Sequence, residues 1–224
     1  MKLDANTVQY IKDLLTPILE NTEVKEEVDT IFTDLEKTAE FESFSSKILT
    51  CEKCELKEER KTVVVSEGPQ FADLMFVGEG PGKAEDDEGR PFIGPAGQLL
   101  DKIIDAAGWQ REHVYIGNVV KCRPPNNRTP KLSETAQCIG WLEKEIEMVN
   151  PKVIVCLGGT AAKTLIHPDF KITKEHGKWF EVNGRKLMAI YHPAYILRRG
   201  GDSQTELKAQ VWEDIQKVKD ELNG

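Results

Sequence analysis

The stretch Ala72-Asp73-Leu74-Met75-Phe76-Val77-Gly78-Glu79-Gly80-Pro81-Gly82-Lys83, ADLMFVGEGPGK, decides the fold class. A short apolar run stopped by glycines reads as a strand running into a bent, exposed loop. That loop stands at the carboxyl end of the strand, where open α/β sheets hold their ligands. It is not a nucleotide cradle. A phosphate loop G-x-x-x-x-G-K-[ST] needs glycine at Val77 and a magnesium-binding hydroxyl at Ala84. A dinucleotide fingerprint G-x-G-x-x-G begun at Gly78 needs glycine at Lys83 and tolerates no proline such as Pro81. The ligand must be identified from the rest of the chain.

Outward from this junction, short apolar runs alternate with helical stretches. Expected strands are Thr62–Val65, Leu74–Val77, Val114–Val120, Val153–Leu157, Trp179–Val182 and Lys186–Ile190. Helices are expected at Ala96–Ala107, Leu132–Val149, Thr160–Ile166 and Gln204–Leu222. Strands separated by helices imply an α/β fold of three layers, a mostly parallel central sheet flanked by helices. Asn183-Gly184 between the last two strands signals a hairpin. No repeat or low-complexity tract interrupts the pattern.

The first 48 residues differ in kind from residues 49–224. Val8, Ile11, Leu14, Leu15 and Ile18, then Val24, Val28, Ile31, Phe32 and Leu35, recur at helical spacing over 5–20 and 23–42, with Pro17 expected to interrupt the first helix. Residues 1–50 carry a net charge of −6 of the chain's −8, so this is an acidic helical extension to the main domain. Such a pair ordinarily packs its apolar face and can also receive a protein partner. In the remainder, Lys121 to Lys131 (KCRPPNNRTPK) holds four bases and no acid, and Arg198-Arg199 form a second basic cluster. An acidic total therefore still permits phosphate contacts. No apolar run approaches the about 20 residues that span a bilayer, and Met1-Lys2-Leu3-Asp4 does not begin a secretory signal. A cytoplasmic protein, monomeric and not membrane-bound, is expected.

Of five cysteines, Cys156 lies inside the apolar run KVIVCLGG and reads as a small buried side chain. Cys51, Cys54, Cys122 and Cys138 form a C-x2-C pair and two singletons, from a strand end and a helix. Four thiolates suit tetrahedral zinc or a [4Fe–4S] cluster on ligand count alone. A zinc site predicts a colourless protein; an iron–sulfur cluster predicts a yellow-brown one.

Taken together, this cysteine frame with GEGPGKAEDDEGRPFIGPAGQLLDKII (78–104), VYIGNVVKCRPPNNRTP (114–130), PKVIVCLGG (151–159) and YHPAYILR (191–198) resembles the family-4 uracil-DNA glycosylases, the iron–sulfur branch of that superfamily. The resemblance covers most of 51–199. It implies excision of uracil from single- or double-stranded DNA, leaving an abasic site, and a structural [4Fe–4S] cluster on Cys51, Cys54, Cys122 and Cys138. It also implies roles for individual residues. Phe92 matches the aromatic that stacks on the flipped base. Asn118 matches the amide that reads uracil O4 and N3–H together, a donor and acceptor pair that cytosine reverses. His192 matches the donor to uracil O2 as charge gathers on the leaving base. Gly78, Glu79 and Gly80 fall in the pocket and water motif, and Glu85 falls near uracil C5, where bulk excludes a thymine methyl. Tyr195, Leu197 and Arg198 fall in the loop that enters the minor groove, while Lys121, Arg123 and Arg128 are candidates for backbone phosphates. No lysine is assigned to a Schiff base, so hydrolysis without strand cleavage is implied.

Two departures stand out. Where the best-known uracil-DNA glycosylases carry an aspartate to orient the attacking water, this chain has Gly80, which leaves the adjacent Glu79 as the candidate carboxylate. His176 replaces the arginine often found before the glycine of the I-T-x-x-R-G stretch. The missing aspartate is the one feature that favours an alternative, a uracil-DNA or single-strand binding protein that does not turn over. The branch that traps uracil-DNA through an inserted histidine loop is not matched, because VVKCRPPNNRTPKLSE after Asn118 has no such histidine.

Overall fold

A computed structural model describes residues 4–19 and 25–224. The chain divides into two compact units, Met1–Ile48 and Leu49–Gly224. In the first, helix α1 (Ala5–Leu19) and helix α2 (Lys25–Leu49) are joined by the Lys12–Glu36 ion pair at 2.7 Å. The expected interruption at Pro17 does not occur, and α1 continues to Leu19. The proline stands in the last turn, where only a short piece of helix follows its missing N–H. The expected boundaries at 20 and 23, with Val24, lie outside the described residues, as does the side chain of Ile18. Among the described residues no helix is long and apolar enough to cross a membrane.

The second unit is built on strands β1 (Leu74–Gly78), β2 (Tyr115–Asn118), β3 (Val153–Leu157), β4 (Trp179–Val182) and β5 (Arg185–Ile190), in the order β2-β1-β3-β5-β4. The first three and β5 run parallel; β4 is an antiparallel edge. Every residue of β1 and β3 is buried, as strands covered on both faces require, whereas the β4 edge is half exposed. Asn183 and Gly184 both take positive φ, 52° and 73°, the turn that the hairpin between β4 and β5 needs. Thr62–Val65 is not a strand. Val64 N–H donates to Lys121 O, and nearby only Glu67 forms an isolated bridge, to Ile116. Its apolar pair Val63 and Val64 is buried all the same, which is the signal the sequence showed.

The helices are α3 (Lys83–Glu88), α4 (Pro95–Ala106), α5 (Leu132–Val149), α6 (Gly159–Leu165), α7 (Ile172–Glu175), α8 (Pro193–Leu197) and α9 (Gly201–Asn223). Pro95 opens α4 at its first position, where the missing N–H costs nothing. Glu134 in the first turn of α5 accepts the Lys131 N–H at 2.7 Å. On one face of the sheet, Phe76, Val155 and Met188 share a core with Leu100 and Ile104 of α4, Ile196 of α8 and Ile215 of α9. On the other face, Tyr115 feels the charge of Glu145 on α5. The strand order reverses between β1 and β3. That reversal opens a crevice at their carboxyl ends, the position where such sheets bind ligands.

Candidate active site

Gly78, Asn118, Leu157 and Ile190 end the four parallel strands, and a cavity of about 510 Å³ opens beyond them. Glu79, Gly80, Glu85, Phe92, Asn118 and His192 all line it. Residues more than 100 positions apart in the chain are thus brought together: Glu79, Gly80, Asn118 and His192 end or closely follow buried strands, while Glu85 comes from α3 and Phe92 from the loop between α3 and α4. Gly78 does not line the cavity but stands behind it. A Cβ there would lie 2.5 Å from Asn118 Oδ1 and 2.5 Å from Phe92 Cζ, so glycine is what lets these two side chains approach.

Phe92 is buried and held at φ 52°, a left-handed conformation that costs a large side chain ~1 kcal/mol or more. Its surroundings enforce that conformation. The Glu85 carboxylate accepts the N–H groups of Ile93 at 3.1 Å and Gly94 at 2.9 Å on Oε1, and that of Gly82 at 3.1 Å on Oε2. Arg111 donates to the Pro91 carbonyl at 2.7 Å and pairs with Asp101 at 2.6 Å. Gly97 lies so close under the loop that a Cβ would meet the Phe92 carbonyl oxygen at 1.8 Å. Glu85 therefore ties the loop of Phe92 to the starts of α3 and α4.

His192 is half-buried, its ring 5.9 Å from that of Phe92 at an interplanar angle of 29°. Its Nδ1 accepts the Ala194 N–H at 3.0 Å, so the neutral ring carries its hydrogen on Nε2. Burial pushes its pKa down to about 4, and Arg198 adds to the effect, while Glu85 acts in the opposite direction. The imidazole is accordingly a neutral donor at neutral pH. Asn118 is buried, and its Oδ1 has no hydrogen-bond partner among the described residues. A buried amide left unpaired in a cavity wall costs free energy until a ligand pairs with it. Glu79 accepts a hydrogen bond from the Thr160 hydroxyl on Oε2, and its carbonyl accepts from Val120 N–H at 3.2 Å. No lysine lines the cavity among the described residues.

The basic residues separate. Arg128, Tyr195 and Arg198 line the cavity, with Arg128 paired to Glu134 at 2.6 Å, and Leu197, next to Arg198 in the chain, is exposed. Tyr195 stacks on Tyr191 at 5.8 Å and 15°. Arg123 donates to Asn127 Oδ1 at 2.7 Å in the neighbouring loop. Lys121, expected from its basic run to meet a phosphate, does not: it is 1 % exposed, and its ammonium donates to Ser66 Oγ at 2.9 Å, Asn118 O at 3.1 Å and Glu145 Oε2 at 2.5 Å. No phosphate can reach it. The sequence places it in a basic run, but an ammonium with three acceptors is more stable beneath the sheet end than an unpaired Glu145 would be. His176, at the position of the expected arginine, bonds Asp214 Oδ2 at 2.6 Å and packs on Tyr191. His167 meets Glu175 at 3.1 Å away from the cavity.

Cys156 is fully buried in β3, and burial raises its thiol to about 12. The other four cysteines form a neighbourhood. The burial that raises Cys138 to about 11 is reinforced by Cys122 and Cys54, and Cys122 in turn feels Cys54 and Cys51. Among the described residues no three Cys, His, Asp or Glu side chains are drawn to the spacing of a bound metal ion. Three N–H donors nevertheless point at three of the sulfurs: Trp141 Nε1 to Cys51 at 3.2 Å, Arg60 to Cys122 at 3.2 Å and the Lys121 amide to Cys138 at 3.3 Å. Neutral thiols accept hydrogen bonds weakly. Thiolates ligating a metal accept them well, so this donor set fits a four-thiolate centre.

The model of the uracil DNA glycosylase superfamily matches residues 65–216. A type-4 uracil-DNA glycosylase of Thermotoga maritima is 46% identical over 180 residues, covering 80% of this chain and 92% of that protein. Its counterpart in Archaeoglobus fulgidus is 41% identical over 179 residues, covering 76% and 87%. That of Sulfurisphaera tokodaii is 39% identical over 188 residues, covering 80% and 83%.

Proposed function

The chain belongs to the type-4 uracil-DNA glycosylases of the uracil DNA glycosylase superfamily, and on that premise we propose that its cavity takes a uracil flipped out of DNA and hydrolyses the base–sugar bond. The observation that carries the reading is the orphaned amide of Asn118, buried beside an aromatic ring and a neutral histidine donor. Uracil stacks on Phe92. Asn118 Nδ2–H donates to O4 and Oδ1 accepts N3–H, whereas cytosine offers the reverse pattern and leaves both groups unpaired. Rejecting a partner by stranding buried polar groups is an effective form of specificity. Glu85, locked by three backbone N–H groups, stands beside C5 and leaves no room for a thymine methyl.

As the C1′–N1 bond breaks, negative charge gathers on O2, and His192 Nε2–H donates to it; one preorganised donor of this kind is worth ~3 kcal/mol. The sugar becomes oxocarbenium-like, so the water needs orientation more than deprotonation. Glu79 and the Gly80 backbone supply that orientation. Water oxygen bonds to C1′, its proton passes through Glu79 to solvent, and the released uracil anion takes a proton from solvent. The product is an abasic site in an unbroken strand.

Tyr195, Leu197 and Arg198 contact the minor-groove side, and Arg123 and Arg128 meet phosphates, which makes affinity fall with salt. The acidic N-terminal unit is repelled by DNA and is free for a protein partner. Cys51, Cys54, Cys122 and Cys138 hold a [4Fe–4S] cluster, whose role when bound is to cross-link the first residues of the unit to the loop after β2 and to α5. Iron and sulfide analysis of the purified protein checks this ligand set, and a colourless zinc protein contradicts it.

The function is tested with an end-labelled oligonucleotide carrying one uracil, alkali being used to cleave abasic sites. Many turnovers confined to uracil, with cytosine and thymine untouched, are expected. Tight uracil-dependent binding without turnover refutes the enzyme and supports a binding protein.

A further inference from the structure

We infer that Thr160 is a positioning residue for the hydrolytic step: its hydroxyl fixes the Glu79 carboxylate so that the second carboxylate oxygen faces the water. This inference rests on the role of Glu79 proposed above. It starts from the sheet. Val77 of β1 pairs with Cys156 of β3, so the residues leaving these two strands emerge side by side where the strand order reverses. Glu79 leaves one strand and Gly158-Gly159-Thr160 the other, and Gly158, at φ 90°, turns the second chain so that Thr160 stands in the cavity wall opposite Glu79.

Only two carboxylates line the cavity among the described residues. Glu85 accepts three backbone N–H groups, two on Oε1 and one on Oε2, and so is committed to holding the loop of Phe92. Glu79 has one protein partner for its carboxylate, the Thr160 hydroxyl on Oε2, and its Oε1 has none among the described residues. Its main chain is already held by Val120 N–H. The freedom left to it is side-chain torsion, and a threonine hydroxyl, itself stiff at χ1, removes that freedom. A chain with glycine where an aspartate would hold the water thus uses two residues from adjacent strand ends: one carries the charge and the other aims it.

The test compares Thr160→Val, which keeps the shape and loses the hydroxyl, with Thr160→Ser, which keeps the hydroxyl, each also combined with Glu79→Gln. Uracil excision is measured as kcat and KM on a single-uracil oligonucleotide, with inhibition by free uracil as the probe of the base pocket. Thr160→Val is expected to lower kcat about 10-fold, because misaiming a reacting group by a fraction of an ångström costs that order of rate. KM and uracil inhibition should stay within about twofold, and Thr160→Ser should restore most of kcat. In the Glu79→Gln background the valine should add less than about twofold, since residues acting as a unit are not additive. A Thr160→Val enzyme with unchanged kcat overturns the inference while leaving Glu79 intact if Glu79→Gln is impaired. Equal loss of rate from valine with or without Glu79 overturns it as well, by showing that Thr160 acts on something else. A Glu79→Gln enzyme at full rate removes the Glu79 reading and this inference with it.

Discussion

Gly78→Ala puts one methyl group behind the cavity wall, against both Asn118 and Phe92. Gly78 pairs directly with Asn118 across β1 and β2, and its added Cβ would stand 2.5 Å from Asn118 Oδ1, 2.5 Å from Phe92 Cζ and 2.9 Å from Phe92 Cε2. Ordinary contact begins at 3.4 Å, so the amide and the ring must together give way by about 0.9 Å on each side. Neither can do so freely. Phe92 is clamped by Glu85, Arg111 and Gly97, and Asn118 ends a buried strand. A displacement of about 1 Å at a reading or stacking group costs on the order of 100-fold in rate, or ~2.7 kcal/mol of transition-state stabilisation. Overpacking also costs ~1–3 kcal/mol of stability, so kcat/KM should be compared well below the melting temperature, with folding followed by circular dichroism. Gly140→Ala is the control, because its Cβ in α5 meets nothing within 4 Å. The expected result is a folded Gly78→Ala protein with kcat/KM down about 100-fold and a Gly140→Ala protein unchanged. A folded Gly78→Ala enzyme within about threefold of the unsubstituted one refutes the claim that Asn118 and Phe92 must hold these positions.

His192 has a folded pKa of about 4 against an ordinary value of 6.5, so the unfolded chain gains a proton in that window and the folded one does not. Stability therefore falls as pH drops from 6.5 towards 4, while kcat/KM should show no inflection near 6.5; a kinetic limb there contradicts the neutral donor. Lys121→Met leaves Glu145 buried without its cation, at a cost of ~3 kcal/mol or more. In a unit of this size that lowers the melting temperature by about 10 °C, and a fall below about 2 °C shows that the pair is not buried. Arg111→Gln removes the donor to the Pro91 carbonyl and should raise KM about fivefold through a looser Phe92, with kcat less affected; unchanged KM contradicts the clamp.

The sheet was legible because each of its strands carries a local signature: LMFVG and VIVCL are continuous apolar runs, and Asn-Gly marks the hairpin. Thr62–Val65 failed as a strand because burial of two valines does not require a ladder, and pairing depends on a neighbour the sequence cannot display. Asn118, Phe92 and His192 were legible only through motif resemblance; taken singly, an asparagine at a strand end or a histidine before proline has many uses. Lys121 was misread because a basic run looks alike whether its members face solvent or a buried carboxylate 24 residues on. Thr160 and Arg111 carried no signal of their own. Their partners, Glu79 and the Pro91 carbonyl, lie 81 and 20 residues away and meet them only through the crossovers of the sheet. The one hint was position, since Thr160 follows an apolar run that ends in two glycines.

The measurement that bears most directly on the account is the release of free uracil from a single-uracil oligonucleotide by the unsubstituted protein beside Asn118→Ala. Many uracils released per protein molecule, no cytosine from the matched control, and a loss of about 100-fold or more in the variant, whose buried wall no longer reads the base, are expected. Binding to uracil-DNA without release of the base, or full release by Asn118→Ala, contradicts this expectation.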